Sequence, residues 1–409
     1  MYKGTSRSSN SSPVTTRVVD TNVNLLTTRI LNSTLTVQKR DMFEHKHLSY
    51  DGRPLPDLHV LVILNPFSGY KKSPKIFKKT VKPFLDTLEI SYDLEKTTDS
   101  NFEAEIQNKL LKQYYNAIIV LGGDGTVHEV INAMLTHPEL CKKPTPILPL
   151  PGGSSNSICC SLVLNRFGVR CPKQLTTLML ITFANNLETK HHLVEYTNGD
   201  IFRYISLIVC TGIMANVSAT TQNNRFLPPA LRGIYGAVRE LLSHKPLPKQ
   251  TVLKFRSNEI MEEISDEFMC ISVNLGPNVS KDLYLAPTTR MGDGELFIMV
   301  MKKKSRLETI KSFIQAMSGK HIDFFGNTRT KKNLLKFRNL KNLTIKEVEI
   351  NKINKTSSKI CLKTDKVQII SGSNKQKSMN LCVDGEIHQI PESSKIEMVL
   401  SDKVINFFG

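Results

Sequence analysis

Tryptophan is absent from this chain of 409 residues, and aromatic side chains make up only 7% of it. Without aromatics interleaved among basic residues, the stacking surface that single-stranded nucleic acid needs is missing, so nucleic acid is not an expected partner. Long apolar runs are missing too. The longest, Ile205–Val217, is interrupted by Thr211, Gly212 and Asn216 and falls short of the roughly 18 residues of a membrane span. The start, Met1–Pro13, has no apolar core of signal-peptide length. None of the eight cysteines forms a C-x-x-C pair. That pattern argues against a zinc site or a disulfide framework, and the expectation is a cytoplasmic protein with reduced thiols.

What is present is ordinary globular composition, 40% hydrophobic and 22% charged, with a strong basic surplus. The 55 Lys and Arg outnumber 37 Asp and Glu, a net +18. An anionic partner is therefore expected, either a nucleotide or an acidic membrane surface. The length suits about two domains.

The stretch that organises the rest is residues 117–129. Ala117–Leu121 is a short β-branched run of the kind a fully buried strand requires. Gly122, Gly123 and Gly125 follow, and a helical pattern begins with Val127, Val130 and Ile131. Strand, glycine turn and helix together let backbone N–H groups approach a phosphate closely. The acid inside the turn, Asp124, would be repelled by phosphate unless it held a metal or took a proton from a hydroxyl. It reads as chemistry, although glycines around an aspartate also make an ordinary turn.

Two more small-residue turns follow predicted strands. Val60–Leu64 leads into Asn65-Pro66-Phe67-Ser68-Gly69, after which Ser73 is predicted to cap a helix opened by Pro74. Pro146–Leu150 leads into Pro151-Gly152-Gly153-Ser154-Ser155-Asn156-Ser157. Between them, Ser91–Lys96 reads as a strand and Asn101–Tyr115 as a helix. Turns after successive parallel strands gather at one end of the sheet, where ligands bind. Three of them point to a nucleotide.

Beyond residue 190 the pattern becomes antiparallel. Leu193–Thr197 and Ile201–Val209 flank Asn198-Gly199, a strong hairpin signal. Strand-like runs recur at Thr251–Phe255, Met269–Leu275, Glu295–Met301 and Leu343–Val348, with helices at Ala230–Ser243 and Arg306–Gly319. Residues 350–380 read as a polar loop. The expected organisation is a partly disordered polar extension over 1–55, an α/β domain with a parallel sheet over 56–190, and a mainly antiparallel β domain over 191–409.

Taken together, Asn65-Pro-Phe-Ser-Gly69, Gly122-Gly-Asp-Gly-Thr126, Pro151-Gly-Gly-Ser-Ser-Asn156 and Val383-Asp-Gly-Glu386 resemble the diacylglycerol-kinase catalytic superfamily. Within it the chain looks most like the sphingolipid kinases, over about residues 58–400. The resemblance implies an N-terminal α/β domain, a C-terminal β-sandwich, and ATP in the cleft between them. It places the phosphates on Asn65, Pro66 and Phe67, on Gly122, Gly123 and Gly125, and on Gly153, Ser154 and Ser155. Thr97 to Asn101 match a segment near the adenine and ribose, and Glu129 matches a nucleotide contact. Asp124 matches the general base. Arg225 and Arg232 match basic residues that steady phosphates, and Asp384, Gly385 and Glu386 match a signature that closes on the nucleotide. Mg²⁺ is implied by the charge of the transferred phosphoryl group, with its ligands left unidentified.

Two departures bear on the substrate. Ser155 replaces a glycine of the sphingosine-kinase loop, and in a left-handed conformation it would cost on the order of 1 kcal/mol. Where sphingosine kinases carry an aspartate for the sphingoid ammonium, this chain has Ser218, or Asn216 in a shifted alignment. Neither side chain neutralises a cation, so the neutral head group of ceramide is preferred. A sphingoid base follows, and diacylglycerol comes third. The alternatives kept open are an NAD kinase, which shares the Gly-Gly-Asp-Gly turn, and a catalytically inactive lipid-binding relative. Peripheral contact with anionic membrane is expected, with Lys302, Lys303 and Lys304 opening an amphipathic helix through Leu307, Ile310, Ile314 and Met317. The simplest role for that apolar face is packing on the β-sandwich, and calcium-dependent capture of calmodulin is expected to fail.

Overall fold

The computed structural model describes residues 58–97, 102–199, 201–224, 227, 229–248, 251–257, 260–281, 283–318, 359–371, 378–391 and 393–409. The polar extension, the strand expected at Leu343–Val348, and the site candidates Asn101 and Arg225 lie outside these residues.

The first half is a parallel sheet built from apolar runs. Strand β1 (His59–Leu64) leads through α1 (Ser73–Ile76), a π-helical turn (Phe77–Val81) and α2 (Lys82–Thr87) to β2 (Ser91–Lys96). Helix α3 (Phe102–Lys112) then crosses to β3 (Ala117–Gly122), and α4 (Asp124–Leu135) crosses to β4 (Ile147–Pro151). Their order is β2-β1-β3-β4, all parallel. Every residue of β3 is buried, as a central parallel strand covered by helices on both faces demands. Helices α5 (Ser157–Phe167) and α6 (Leu175–Ala184) complete this half. Ser73 is not a cap. It is the first helical residue, its hydroxyl is buried without a hydrogen-bond partner, and Lys72 occupies the cap position.

The second half is antiparallel. Strands β5 (Glu188–Asn198) and β6 (Ile201–Ile205) form the expected hairpin, but its second arm stops at Ile205. After a break at Ser206–Leu207 the chain enters β7 (Ile208–Gly212) in the other sheet. Helices α7 (Ile213–Asn223) and α8 (Pro229–Ser243) follow, then β8 (Val252–Ser257), β9 (Ile260–Ser265), β10 (Phe268–Asn274) and β11 (Leu296–Lys302). Helix α9 (Arg306–Ser318) precedes β12 (Lys359–Thr364), β13 (Lys366–Ile370), β14 (Ser378–Val383), β15 (Glu386–Pro391) and β16 (Lys395–Phe408). The stretch 350–380 is thus not a loop throughout. It holds β12 and β13, and in β13 Val367 and Ile369 alternate into the core.

One sheet runs β12-β11-β10-β7-β14-β15. The other continues from β4 through β16 to β13, β8 and β9, so β16 links the parallel and antiparallel halves. Between them lies an apolar core with Val209, Ile271, Ile298 and Leu381 from one sheet and Val194, Leu253, Val367 and Met398 from the other. The expected fold class, an α/β half followed by a β-sandwich, is the observed one.

Candidate active site

The three glycine turns meet at the carboxyl ends of β1, β3 and β4. Asn65 N–H donates to the Leu121 carbonyl at 3.0 Å, and Gly152 N–H to the Gly122 carbonyl at 2.8 Å. The Asn65 side chain sets the first turn. Its Oδ1 accepts from Phe67 N–H at 3.0 Å, and its Nδ2 donates to Thr126 Oγ1 at 3.0 Å. Gly153 is required by close approach, because a Cβ there would lie 2.5 Å from Gly123 Cα. Asn156 closes the third loop, its Oδ1 accepting from Gly153 N–H at 2.8 Å and its Nδ2 donating to the Gly153 carbonyl at 2.9 Å. The left-handed residue of that loop is Asn156, at φ 50°, and not Ser155. Asparagine tolerates that conformation, so the strain expected from Ser155 does not arise.

Asp124 sits at the start of α4, 8% exposed, facing the N-terminus of α5. Its Oδ2 accepts from Ser157 N–H and its Oδ1 from Ile158 N–H, both at 3.0 Å. The Ser157 side chain interacts with the same carboxylate. Burial pushes the Asp124 carboxyl above the ordinary range, against the opposing pull of these two amides.

The signature Val383-Asp384-Gly385-Glu386 also reaches this end of the sheet, but its two acids differ. Asp384 is fully buried and accepts from five donors. These are the amides of Ser206, Leu207 and Ile208, the Ser206 hydroxyl and His128 Nδ1, at 2.7–3.1 Å. Burial alone would raise its carboxyl, yet His128 and the amides hold it below the ordinary range. A carboxylate so occupied has no face left for a nucleotide. The expectation of direct contact is therefore corrected, and Asp384 holds the β6–β7 break together. Glu386 is exposed, and its Oε1 lies where a Cβ on Gly125 would go. Burial, then the charge of Glu386, push the neighbouring Glu129 up to about 7.

Thr97 lies buried at the end of β2, its N–H on the Leu64 carbonyl at 3.0 Å. Ser155 accepts from Lys281 N–H at 3.1 Å, and Phe67 is exposed. Arg232 donates from Nε to the Leu227 carbonyl at 2.6 Å, which ties it to the α7–α8 connection. On α7, Asn216 Oδ1 accepts from Asn380 Nδ2 at 2.9 Å, and Ser218 shares a hydrogen bond with the Cys382 thiol. Gly212 starts that helix at φ 74°, where a Cβ would strike the Met269 carbonyl.

Sequence reasoning missed Asn132, Gln222 and Asn380. Asn132 bridges α4 to Tyr204 of β6 through its N–H and carbonyl, both at 2.9 Å, and Gln222 Nε2 donates to the Gly385 carbonyl at 2.8 Å. Only spatial neighbours separated by tens to hundreds of residues identify them.

Comparison with known proteins agrees with this architecture. The diacylglycerol kinase catalytic domain matches residues 59–184, and the YegS C-terminal NAD kinase beta sandwich-like domain matches residues 207–344. Rat sphingosine kinase 1 is 24% identical over 306 residues, covering 64% of this chain and 77% of that protein. Mouse ceramide kinase is 24% identical over 200 residues, covering 46% and 36%. A Bacillus anthracis crystal structure assigned as a diacylglycerol kinase superposes with a TM-score of 0.55 at 16% identity, over 86% of this chain and 96% of that one, and shows the fold. The chain belongs to the diacylglycerol-kinase catalytic superfamily. Within that superfamily it is similar to sphingosine kinases and to ceramide kinase.

Proposed function

We propose that this protein transfers the γ-phosphate of ATP to the primary hydroxyl of a sphingolipid, with ceramide preferred. The observation that carries the catalytic reading is the buried Asp124 carboxylate, held by two helix-end amides beside three converging glycine turns. Glycines at 122, 123, 125 and 153 let the turns pack closely, since a Cβ there would strike Thr126, Ser68, Glu386 or Gly123, and glycine turns gathered at strand ends suit polyphosphate. Asp124 takes the proton of the attacking hydroxyl, and burial, which raises its pKa, makes it a stronger base than an exposed carboxylate. Glu129 and Glu386 would repel phosphate and instead accept from nucleoside hydroxyls. Magnesium bound to the phosphates of ATP would supply charge neutralisation there.

Ceramide is preferred because the residues around the expected head group, Asn216, Ser218 and Asn380, are neutral hydrogen-bonding groups. The reading of a sphingoid base rests on the longer span shared with sphingosine kinase, 306 residues against 200. Initial rates with ATP, Mg²⁺ and matched ceramide, sphingosine and diacylglycerol test both readings. Ser218→Asp should move the ratio of kcat/KM values towards sphingosine by about tenfold or more, since a close charge pair can be worth a few kcal/mol. An unchanged ratio in a folded variant would remove the head-group argument. No helix among the described residues is long and apolar enough to cross a membrane. The proposed location is cytoplasmic, with peripheral contact on anionic membrane, and no calmodulin partner is proposed.

A further inference from the structure

The connection between β10 and β11 belongs to the antiparallel half, yet it runs along α5 to the third glycine turn. Near the C-terminal end of that helix, Asn165 Nδ2 donates to the Met291 carbonyl at 2.9 Å. Further down, Ser161 Oγ accepts from Asn278 N–H at 3.4 Å. At the N-terminal end, Ser157 Oγ donates to the Val279 carbonyl at 2.5 Å, and Lys281 N–H donates to the Ser155 carbonyl at 3.1 Å. The connection doubles back here. Val279 N–H donates to the Leu283 carbonyl at 2.9 Å, and Leu283 N–H to the Ser280 carbonyl at 3.2 Å. Lys281 therefore stands on a tight turn, exposed, with its own amide pinned to the third glycine turn. Ser157 ties this turn to the base, because its amide and side chain also hold Asp124. The charge around the site asks for such a residue. Carboxyls of Asp124, Glu129 and Glu386 lie at this end of the sheet, and each repels a polyphosphate. Lys71 and Lys72 follow the first turn, whereas Arg232 gives its Nε to the Leu227 carbonyl and Arg170 stacks on Tyr284 at 4.4 Å. Lys281 brings positive charge to the third turn, beside the base.

We propose that Lys281 binds the terminal phosphate of the nucleotide and stabilises it during transfer, an assignment that rests on the reading of the site as an ATP-using kinase. The terminal phosphate is singled out by the anchor at Ser157. A hydroxyl that gives its proton to Asp124 lies between that carboxylate and the phosphorus it attacks, so the terminal phosphate is the one nearest the base. The turn that Ser157 ties to the base is then the one nearest that phosphate. In the transfer, a bond forms from the lipid oxygen to the terminal phosphorus and the bond to the bridging oxygen breaks. The hydroxyl proton passes to Asp124, ADP leaves with the bridging oxygen, and Lys281 keeps its proton throughout. Charge shifts over the oxygens of the moving group, and a fixed cation beside them gains strength as it does so. Lysine suits the position, since its compact charge on a flexible four-carbon stem can follow a group that moves. The anchor of the turn is the amide of residue 281 and not its side chain, so replacing the side chain leaves the turn in place.

The test uses the full chain with magnesium and measures binding of ATP, ADP and AMP by calorimetry, with lipid phosphorylation alongside. The variants are Lys281→Ala and Lys281→Arg. Lys281→Ala should weaken ATP by about tenfold and leave ADP and AMP within about twofold, the loss of one charge-assisted contact to the terminal phosphate. Its kcat should fall further than its ATP affinity, by roughly a hundredfold, because the contact strengthens in the transition state. Lys281→Arg keeps the charge and should bring both quantities back to within about threefold of wild type. Melting temperatures of the three proteins should agree, since the bond to Ser155 remains. An unchanged ATP affinity in Lys281→Ala would overturn the proposal. So would equal weakening of ATP, ADP and AMP, which marks a displaced turn, or a loss that arginine does not recover. A wild type that binds ATP no more tightly than AMP would overturn it as well. The expected binding pattern without turnover of any lipid would defeat the lipid-kinase reading and leave the assignment of Lys281 standing.

Discussion

Asp124 and Asp384 are both buried carboxylates in glycine-flanked turns, yet their surroundings give them opposite tasks. Asp124 is held by two backbone amides and the Ser157 side chain, and Asp384 by five donors that leave it none to offer. Asp124→Asn should lower phosphoryl transfer by roughly 10²–10⁴, the usual share of a general base, while ATP still binds. The amide can accept from only one of the Ser157 and Ile158 amides, so a stability loss of about 1 kcal/mol should accompany it. Rates within about threefold of wild type in the folded variant would exclude the role. Glu129 yields a pH prediction. Its carboxyl lies at about 7 in the fold against an ordinary 4.5, so the charged form is disfavoured by folding. Its stabilising contribution is complete below pH 4.5 and is lost as pH rises towards 7. Glu129→Gln should therefore match wild type in melting temperature at acid pH and exceed it above neutrality. If Glu129 accepts from the nucleoside, the same variant should also weaken ATP binding, as read by calorimetry. A constant melting difference across the pH range would mean the carboxyl is not perturbed.

At the scale of elements, the β6–β7 break decides whether the signature turn is in place. From sequence, Ile201–Val209 reads as one strand, and nothing local distinguishes Ser206-Leu207 as the point where the chain changes sheets. The cause lies far along the chain, in the carboxylate of Asp384, which collects three successive amides there. Replacing Asp384 with Asn should cost roughly 3 kcal/mol, because one amide oxygen cannot satisfy five buried donors. Its lowered pKa sets the pH window. The stabilisation is full above the ordinary 3.8 and fades as pH falls through the depressed value, so the gap between variant and wild type should narrow in acid. Chemical denaturation at neutral and acid pH checks this, and a gap independent of pH would assign the loss to packing. The parallel strands were legible because burial on both faces leaves an unbroken apolar run, as in β1 and β3. The glycine turns were legible because close backbone approach admits only glycine. The outward faces of α8 and α9 were not. The α9 stripe expected to pack on the sandwich leaves Leu307 and Ile314 exposed, as α8 leaves Ile234 and Leu242, and an amphipathic pattern reads identically whether or not protein covers it.

For the molecule as a whole, the division expected at residue 190 falls inside β5, and strand β16 crosses it. The first part of β16 pairs with β13 of the antiparallel half, while Phe407 pairs in parallel with Ile147 of β4. Its far end is anchored to the α/β half as well. Gly409 N–H donates to the Leu187 carbonyl at 3.0 Å, and the Gly409 carbonyl accepts from Arg166 Nη2 at 2.9 Å and Thr189 Oγ1 at 2.8 Å. Ile405 and Phe407 are fully buried, and Phe183 packs edge-on against Phe408 at 4.9 Å. One strand thus fills the space between the two halves, and residues 59–409 form a single compact unit. Two domains joined only by a linker would melt separately, whereas halves sharing a central strand should lose structure together. Calorimetry should show one transition for the full chain, with equal calorimetric and van't Hoff enthalpies. Removing residues 404–409 should abolish that transition, because it exposes the inner edges of β4 and β5 and leaves three large apolar side chains' worth of core empty, at about 2–5 kcal/mol each. Two resolved transitions in the intact chain, or a truncated chain whose antiparallel half still melts at the original temperature, would show that the halves fold independently of β16.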